Sequence, residues 1–245
     1  MAGTTSRRST PSEAWAPYPP DPAWVRSRTR VPRAYGWVEA DGAYAPELAA
    51  GGLWLFGDGG CGKTALVHAI RLWWDGSHVA VTEPDALTGV RWCGVRERSV
   101  YVLEDEMVDR LEQAGRSWRA DFSAELAQYA EAPLLCVDDA GEAEPTKAAY
   151  KAWYRVLTAR SEAGLPTVAA SRSGLGDFCE AFARSRSVRP AQAGRLGELV
   201  RRSMVPRRVR GRADGPGGTQ GAGRRELGVV LSRRNRVFRA ANRRR

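Results

Sequence analysis

A three-layer α/β/α architecture, with helices on both faces of a mostly parallel sheet, is predicted by three observations. Short apolar runs of strand length alternate with segments of helical periodicity. One of these runs opens into a glycine-crowded turn that leads straight into a helix. Another ends in two adjacent aspartates.

In chain order, residues 1–34 are rich in Pro, Ser and Arg. Pro17, Pro19, Pro20 and Pro22 argue against a helix there, so an extended arm is expected. "GLWLF" (52–56) reads as a buried strand and 63–74 as a helix. "SVYVL" (99–103) is a second strand, followed by helical 104–115 and 122–132. "PLLCV" (133–137) is a third strand. Residues 146–164 form a long helix with Ala149, Trp153, Val156 and Leu157 on one face, closed by Gly164 and Pro166. "TVAAS" (167–171) is a fourth strand and 177–185 another helix. Strands separated by helices imply parallel pairing through right-handed crossovers. Residues 212–226 read as a Gly-rich linker, "LGVVL" (227–231) as a candidate last strand, and the remainder as a basic tail. The division is therefore an arm (1–34), a core (35–210) and a tail (211–245).

Charge is unevenly spread. The chain of 245 residues carries a net +10, yet from Arg184 onward 19 arginines face three acids, a local +16, and the first 183 residues carry −6. An acidic body with a basic extension points to an anionic polymer, with nucleic acid as the leading candidate. Only Lys63, Lys147 and Lys151 are lysines, so a lysine is more informative here than an arginine. No apolar run approaches the ~18 residues of a membrane span. The first residues lack the apolar segment of a secretory signal, and a cytoplasmic protein without membrane contact is expected. The four cysteines lie more than thirty residues apart, which argues against zinc and a disulfide framework.

Gly57, four residues, then Gly62-Lys63-Thr64 completes the pattern of a phosphate-binding (Walker A) loop. Its glycines let backbone N–H groups converge on phosphate oxygens, and the helix that follows aims its positive end at the same point. The loop Gly57, Asp58, Gly59, Gly60, Cys61, Gly62, Lys63, Thr64 and Ala65 is the candidate nucleotide site. Lys63 would bridge the β- and γ-phosphates, and the Thr64 hydroxyl would ligate Mg²⁺. Hydrolysis needs a second, acidic site at the end of another buried strand (Walker B). There Asp138 would hold Mg²⁺ through its water shell, and Asp139 would orient and activate the attacking water.

The segments "GLWLFGDGGCGKTALVHAI", "VYVLEDEMVDRL", "LLCVDDAGEAEPTKAAYKAWYRVLTARSEAGLPTVAAS" and "RLGELVRR", in this order, resemble bacterial replicative helicase loaders and the helper ATPases of insertion-sequence transposition. Both are AAA+ ATPases, and the resemblance covers about 35–210. It implies a P-loop NTPase core with a five-stranded parallel sheet, ATP hydrolysis at contacts between copies of a homo-oligomer, and ATP-controlled grip on single-stranded DNA. A replicative helicase or a transposase is the implied larger partner.

The chain departs from the pattern at the end of the fourth strand, where the family usually places an asparagine that senses the γ-phosphate. Ser171 and Arg172 stand there instead, so slow hydrolysis is expected. The resemblance also implies an arginine that completes a neighbour's site, for which Arg195, Arg201 and Arg202 are candidates. Two other functions compete: a P-loop kinase of small molecules or nucleotides, and a nucleic-acid-binding protein with a weakly hydrolysing ATP site. "VRWCGVRERS" (90–99) is a weaker candidate for stacking bases, against a core-edge role for Trp92.

Overall fold

The structure, a computed structural model, describes residues 15–95, 98–116 and 119–211. In chain order its elements are β1 (Trp15–Pro17), α1 (Pro22–Thr29), a 3₁₀ turn (Arg33–Tyr35), α2 (Ala45–Ala49), β2 (Gly52–Phe56), α3 (Lys63–Ser77), β3 (Val79–Val81) and β4 (Trp92–Val95). They continue as β5 (Ser99–Leu103), α4 (Glu104–Arg116), α5 (Arg119–Ala130), β6 (Leu134–Asp138), α6 (Lys147–Ala163), β7 (Thr167–Ser171), α7 (Leu175–Arg184), α8 (Pro190–Ser203) and β8 (Val205–Arg208).

Five strands form one sheet in the order β5-β6-β7-β2-β8, and every neighbouring pair is parallel. Alternate residues of the central strands feed two cores, as the two-residue period of a strand requires. Leu53, Leu55, Leu134, Cys136, Val168 and Ala170 pack with Val67 and Ile70 of α3 on one face. Trp54, Leu135, Val137 and Ala169 face the layer of α4 to α8 on the other. There Trp54, Trp153 and Phe178 touch at ring-centroid distances of 4.8–6.4 Å, each contact adding about 0.5–1.5 kcal/mol beyond its buried area. Helix α1 lies outside α3, burying Val25 against Ala65, Ala69 and Leu72.

One expectation is corrected. The arm is not free of helix: Pro22 occupies the first turn of α1, where its missing N–H is no loss, and Asp21 caps the helix through the Ala23 N–H. The fifth strand of the sheet is β8, which the sequence did not signal; the candidate strand at 227–231 lies outside the described residues along with the linker and basic tail. As an edge strand paired on one side only, β8 tolerates the sequence VPRR, which carries no apolar signal.

The small antiparallel sheet β1-β4-β3 was not expected. Of the 90–99 segment it takes up residues 92–95 as β4, with Trp92 half-buried at its start.

At the edge where the strands begin, buried Arg160 ties two connections together. Its guanidinium donates to the Tyr129 carbonyl at 2.7 Å, the Ala132 carbonyl at 2.6 Å, the Thr167 hydroxyl at 2.8 Å and the Pro166 carbonyl. No ion pair to Arg160 occurs among the described residues, so carbonyl dipoles and one hydroxyl replace its lost hydration. Arg160→Ala strips these carbonyls of their donor. A loss of roughly 3–5 kcal/mol in unfolding free energy is expected from urea midpoints at unchanged slope, and a loss below about 1 kcal/mol would contradict this account.

Candidate active site

The loop between β2 and α3 is a tight glycine turn that runs straight into the N-terminus of α3. Gly57 has φ +155°, and a Cβ there would stand 2.5 Å from the Val209 carbonyl oxygen, so no side chain fits. Gly62 has φ +98° at the N-terminus of α3, a left-handed turn that lets the helix start beneath the loop. Asp58, Gly59 and Gly60 are exposed at the crest, while Cys61, Gly62, Lys63 and Thr64 are half-buried and Ala65 is buried. The Lys63 ammonium curls over the loop and donates to the carbonyls of Gly57 (2.7 Å) and Asp58 (2.9 Å). A cleft of about 460 Å³ runs along the crest between Asp58–Cys61 and Arg208–Gly211.

Strand β7 separates β2 from β6. Phe56 is level with Ser171, and Val137 with Ala169, so the acidic pair ends at the same edge as the loop. Two strand spacings put the two chain segments about 10 Å apart.

Asp138 is buried. Its carboxylate accepts the Tyr101 hydroxyl at 2.9 Å and the Asp139 N–H at 3.0 Å. Asp139 is exposed and has φ +53°, a left-handed conformation that costs a non-glycine residue about 1 kcal/mol. Burial of the carboxyl, then the charges of Asp138 and Glu142, raise its pKa above the ordinary aspartate value; Arg172 and Lys63 pull it back. The lysine of the loop and the second aspartate are thus within electrostatic reach of one another.

Ser171 is buried at the end of β7, its hydroxyl accepting the Ser173 N–H at 3.0 Å. Arg172 is exposed, and its Nε pairs with Glu142 at 3.0 Å. The three α8 arginines are all exposed. Arg195 bonds its own helix at the Ala191 carbonyl. Arg201 and Arg202 occupy the last turn of α8, just before β8 starts beside Leu53, at the edge opposite the loop. Lys63, Asp138, Asp139, Ser171 and Arg172 are therefore gathered at one edge, and Arg201 and Arg202 of the same chain are not among them.

A divalent cation fits the oxygen set. Asp138 supplies a carboxylate fixed by two donors and Thr64 a hydroxyl at the helix start, which suits Mg²⁺ held by few protein oxygens and completed by phosphate and water.

Comparison with known proteins follows the geometry. No family model matches the sequence, and no curated protein matches it. Solved structures do match. The crystal structure of DnaI aligns with a TM-score of 0.53 at 20% identity, over 74% of this chain and 92% of that one. A protein described as a primosome component, from Streptococcus pyogenes serotype M3, aligns at 0.52 and 18% identity, over 77% and 96%. The DnaC helicase loader aligns at 0.46 and 14% identity, over 76% and 86%. This chain has the fold of DnaI. By description, its solved neighbours include a helicase loader and replication initiators. Against the longer initiators the chain spans about two fifths of their length: 43% of a DNA replication initiation factor and 42% of DnaA.

Sequence carried no signal for the residues behind the edge where the loop and the aspartates meet. Glu104, the first residue of α4, is buried and accepts the Gly141 N–H at 2.6 Å and the Trp153 indole N–H. Burial raises its pKa, and the donors around it pull it down. Its acidic character at a helix start reads in sequence as ordinary dipole chemistry.

His68 on α3 is buried between the rings of Tyr35 and Tyr101, each 4.8 Å away. Its Nδ1 lies 3.1 Å from an Arg71 guanidinium nitrogen, which can only donate, so Nε2 carries the proton and has no partner. Burial first, and the Arg71 charge second, lower the His68 pKa to about 4, against a smaller pull from Asp138. A folded pKa below the unfolded one means that the unfolded chain takes the proton first. The contribution is complete above pH ~6.5 and is lost as pH falls toward 4, on the order of 3 kcal/mol at most. Between pH 7 and 4.5 the unfolding free energy of His68→Gln is expected to fall less steeply than that of the wild type. Equal slopes would mean that His68 takes up its proton as readily in the fold as in the unfolded chain, and would overturn this account.

Proposed function

We propose that this chain binds ATP with Mg²⁺ and hydrolyses it as a DNA-associated AAA+ protein of the helicase-loader or transposition-helper type. The observation that carries the proposal is the convergence of the Lys63 loop and the Asp138–Asp139 pair at one sheet edge, close enough for the lysine charge to act on Asp139.

In this reading the 57–64 backbone cradles the phosphates. Lys63 leaves the Gly57 and Asp58 carbonyls for the β- and γ-oxygens, exchanging two neutral acceptors for charged ones. Thr64 and Asp138 hold Mg²⁺, which when bound offsets phosphate charge. Tyr101 fixes the Asp138 carboxylate from behind. Asp139, exposed at the loop mouth, orients the attacking water and takes its proton. Arg172, at the fourth strand's end, faces the phosphate in place of the family's asparagine. Arg195, Arg201 or Arg202 reaches a neighbouring copy's site; such a residue is worth about 10³–10⁵ in rate, so turnover should rise more than linearly with protein concentration. Support for a nucleic-acid partner, with single-stranded DNA first, comes from the +16 carried beyond residue 183. A replicative helicase or a transposase is the larger machine that the sequence resemblance favours.

One observation favours the second reading, a DNA-binding protein with a weakly hydrolysing ATP site. The Ser171 hydroxyl is engaged by its own backbone, and Arg172 is paired with Glu142. The kinase reading lacks such support, because α6 fills the connection between β6 and β7.

The test is ATP turnover by the full chain with and without single-stranded DNA. Lys63→Ala is expected to abolish nucleotide binding. Asp139→Asn should keep binding and lose turnover by roughly a hundredfold or more. Unchanged turnover in Asp139→Asn would overturn the assigned role. Absence of turnover in the wild type at high concentration with DNA, alongside intact ATP binding, would establish the second reading.

A further inference from the structure

The segment after Asp139 turns back through Ala140, Gly141, Glu142 and Ala143 before α6 begins. Three ties hold it. The Ala140 N–H donates to the Ala170 carbonyl of β7 at 2.7 Å. The Glu142 side chain pairs with exposed Arg172. The third tie is internal: the Gly141 N–H donates to the Glu104 carboxylate at 2.6 Å. The N–H groups of Glu142 and Ala143 lie close enough to favour its charge, and the Glu142 N–H also closes the turn on the Asp139 carbonyl at 3.1 Å. Successive amides aimed at one point form an anion-binding nest. Here the anion is a side chain of the protein itself.

Glu104 is 2% exposed, so it is not the solvated acid usually found in a helix's first turn. It follows Leu103, which is paired with Asp138 across the β5–β6 ladder, and it therefore reaches under the loop from the neighbouring strand. The Trp153 indole of α6 holds its other oxygen, so α4, α6 and the loop meet on one carboxylate. The nest begins two residues beyond Asp139, whose left-handed backbone is among the few positive-φ non-glycine conformations in the described residues. A residue in that conformation stays there only if its flanks are fixed.

We propose that Glu104 is a positioning residue: by filling the nest at 141–143 it fixes the backbone that aims the Asp139 carboxylate at the phosphate cradle. It touches neither nucleotide nor water. The inference rests on the ATPase reading above.

The experiment compares full-length wild type, Glu104→Gln and Val25→Ala in DNA-stimulated ATP turnover, binding of a fluorescent ATP analogue and thermal melting. Glu104→Gln keeps the shape but removes the charge and turns an N–H toward N–H donors. Its kcat is expected to fall roughly 10- to 100-fold, with KM and the analogue's Kd within about twofold of wild type. Val25→Ala thins the core in the α1 layer, away from the loop, and controls for lost stability. Its kcat should stay within about twofold of wild type. Equal kcat losses in the two variants at matched Tm, or a raised KM with kcat unchanged, would overturn the proposal. Should Glu104→Gln fail to fold, Trp153→Phe removes the indole donor together with part of the ring packed on Trp54 and Phe178. Beyond the loss of a control matched in Tm, a several-fold fall in kcat at constant KM is then expected, and a kcat equal to that control's overturns the proposal. A wild type without turnover would remove the ATPase reading and this inference with it, whereas an active wild type with an equally active Glu104→Gln removes the inference alone.

Discussion

The parallel pairing of β6 with β7 and of β7 with β2 is the constraint on which the rest of the molecule depends. A parallel strand cannot return by a hairpin, so each connection crosses a face of the sheet and each strand ends at the same edge. Everything with chemistry therefore emerges together. The glycine loop follows β2, the aspartates close β6, Ser171 and Arg172 close β7, Glu104 follows β5 and Arg208–Gly211 follow β8. Ligands of open α/β sheets bind outside the carboxyl ends of strands for this reason. The opposite edge is structural. There Arg160 bolts the start of β6 to the start of β7 with charge–dipole bonds that exclude water.

That division explains what could be read from the chain. A phosphate loop is local chemistry: glycines, a lysine and a threonine within eight positions, with a strand before and a helix after. The strands at 52–56, 99–103 and 167–171 were legible to the residue: the first and last lie inside the sheet and are buried along nearly their whole length, while the edge strand at 99–103 carries an apolar run of its own. Strand β8 was not, since an edge needs no such run. The β1-β4-β3 sheet was also illegible: its strands are three or four residues long, and β1 pairs with a strand some seventy-five positions away. Pro22 was misread as a helix breaker because the position of a proline in its helix, not its presence, decides the outcome. Arg160 was hidden by the surrounding excess of arginine, and only burial distinguishes it. Glu104 was hidden by a plausible alternative, the acid of a first helical turn, and the nest that claims it is formed by residues 37 positions further on.

The small polar groups behind the edge carry a further regularity. Arg71 of α3 donates to the Thr29 carbonyl of α1 and to the Ser99 hydroxyl of β5, and Asp75 accepts from Ser99. Arg71 also lies 5.2 Å over the Tyr101 ring, whose hydroxyl holds Asp138. The outer helix and the acidic strand are thus joined through buried side chains with few alternatives. Such contacts cost desolvation and return it only when every partner is present, so they specify one arrangement more than they add stability.

The same reasoning separates the two side-chain grips on the Asp139 loop. Arg172 and Glu142 form an ion pair with the arginine side chain two-thirds exposed, and pairs of that kind are worth about 0–1 kcal/mol. An arriving phosphate, with more charge than a carboxylate, can take Arg172 from Glu142 at little cost. Glu104 cannot be traded in this way. Its carboxylate is out of water, and releasing it would orphan the buried Trp153 indole N–H at roughly 1–3 kcal/mol. Of the two, the outer grip can change with the ligand while the inner one stays. A loop that must respond to a phosphate yet keep its aspartate aimed needs both, and their difference in burial is what assigns the roles.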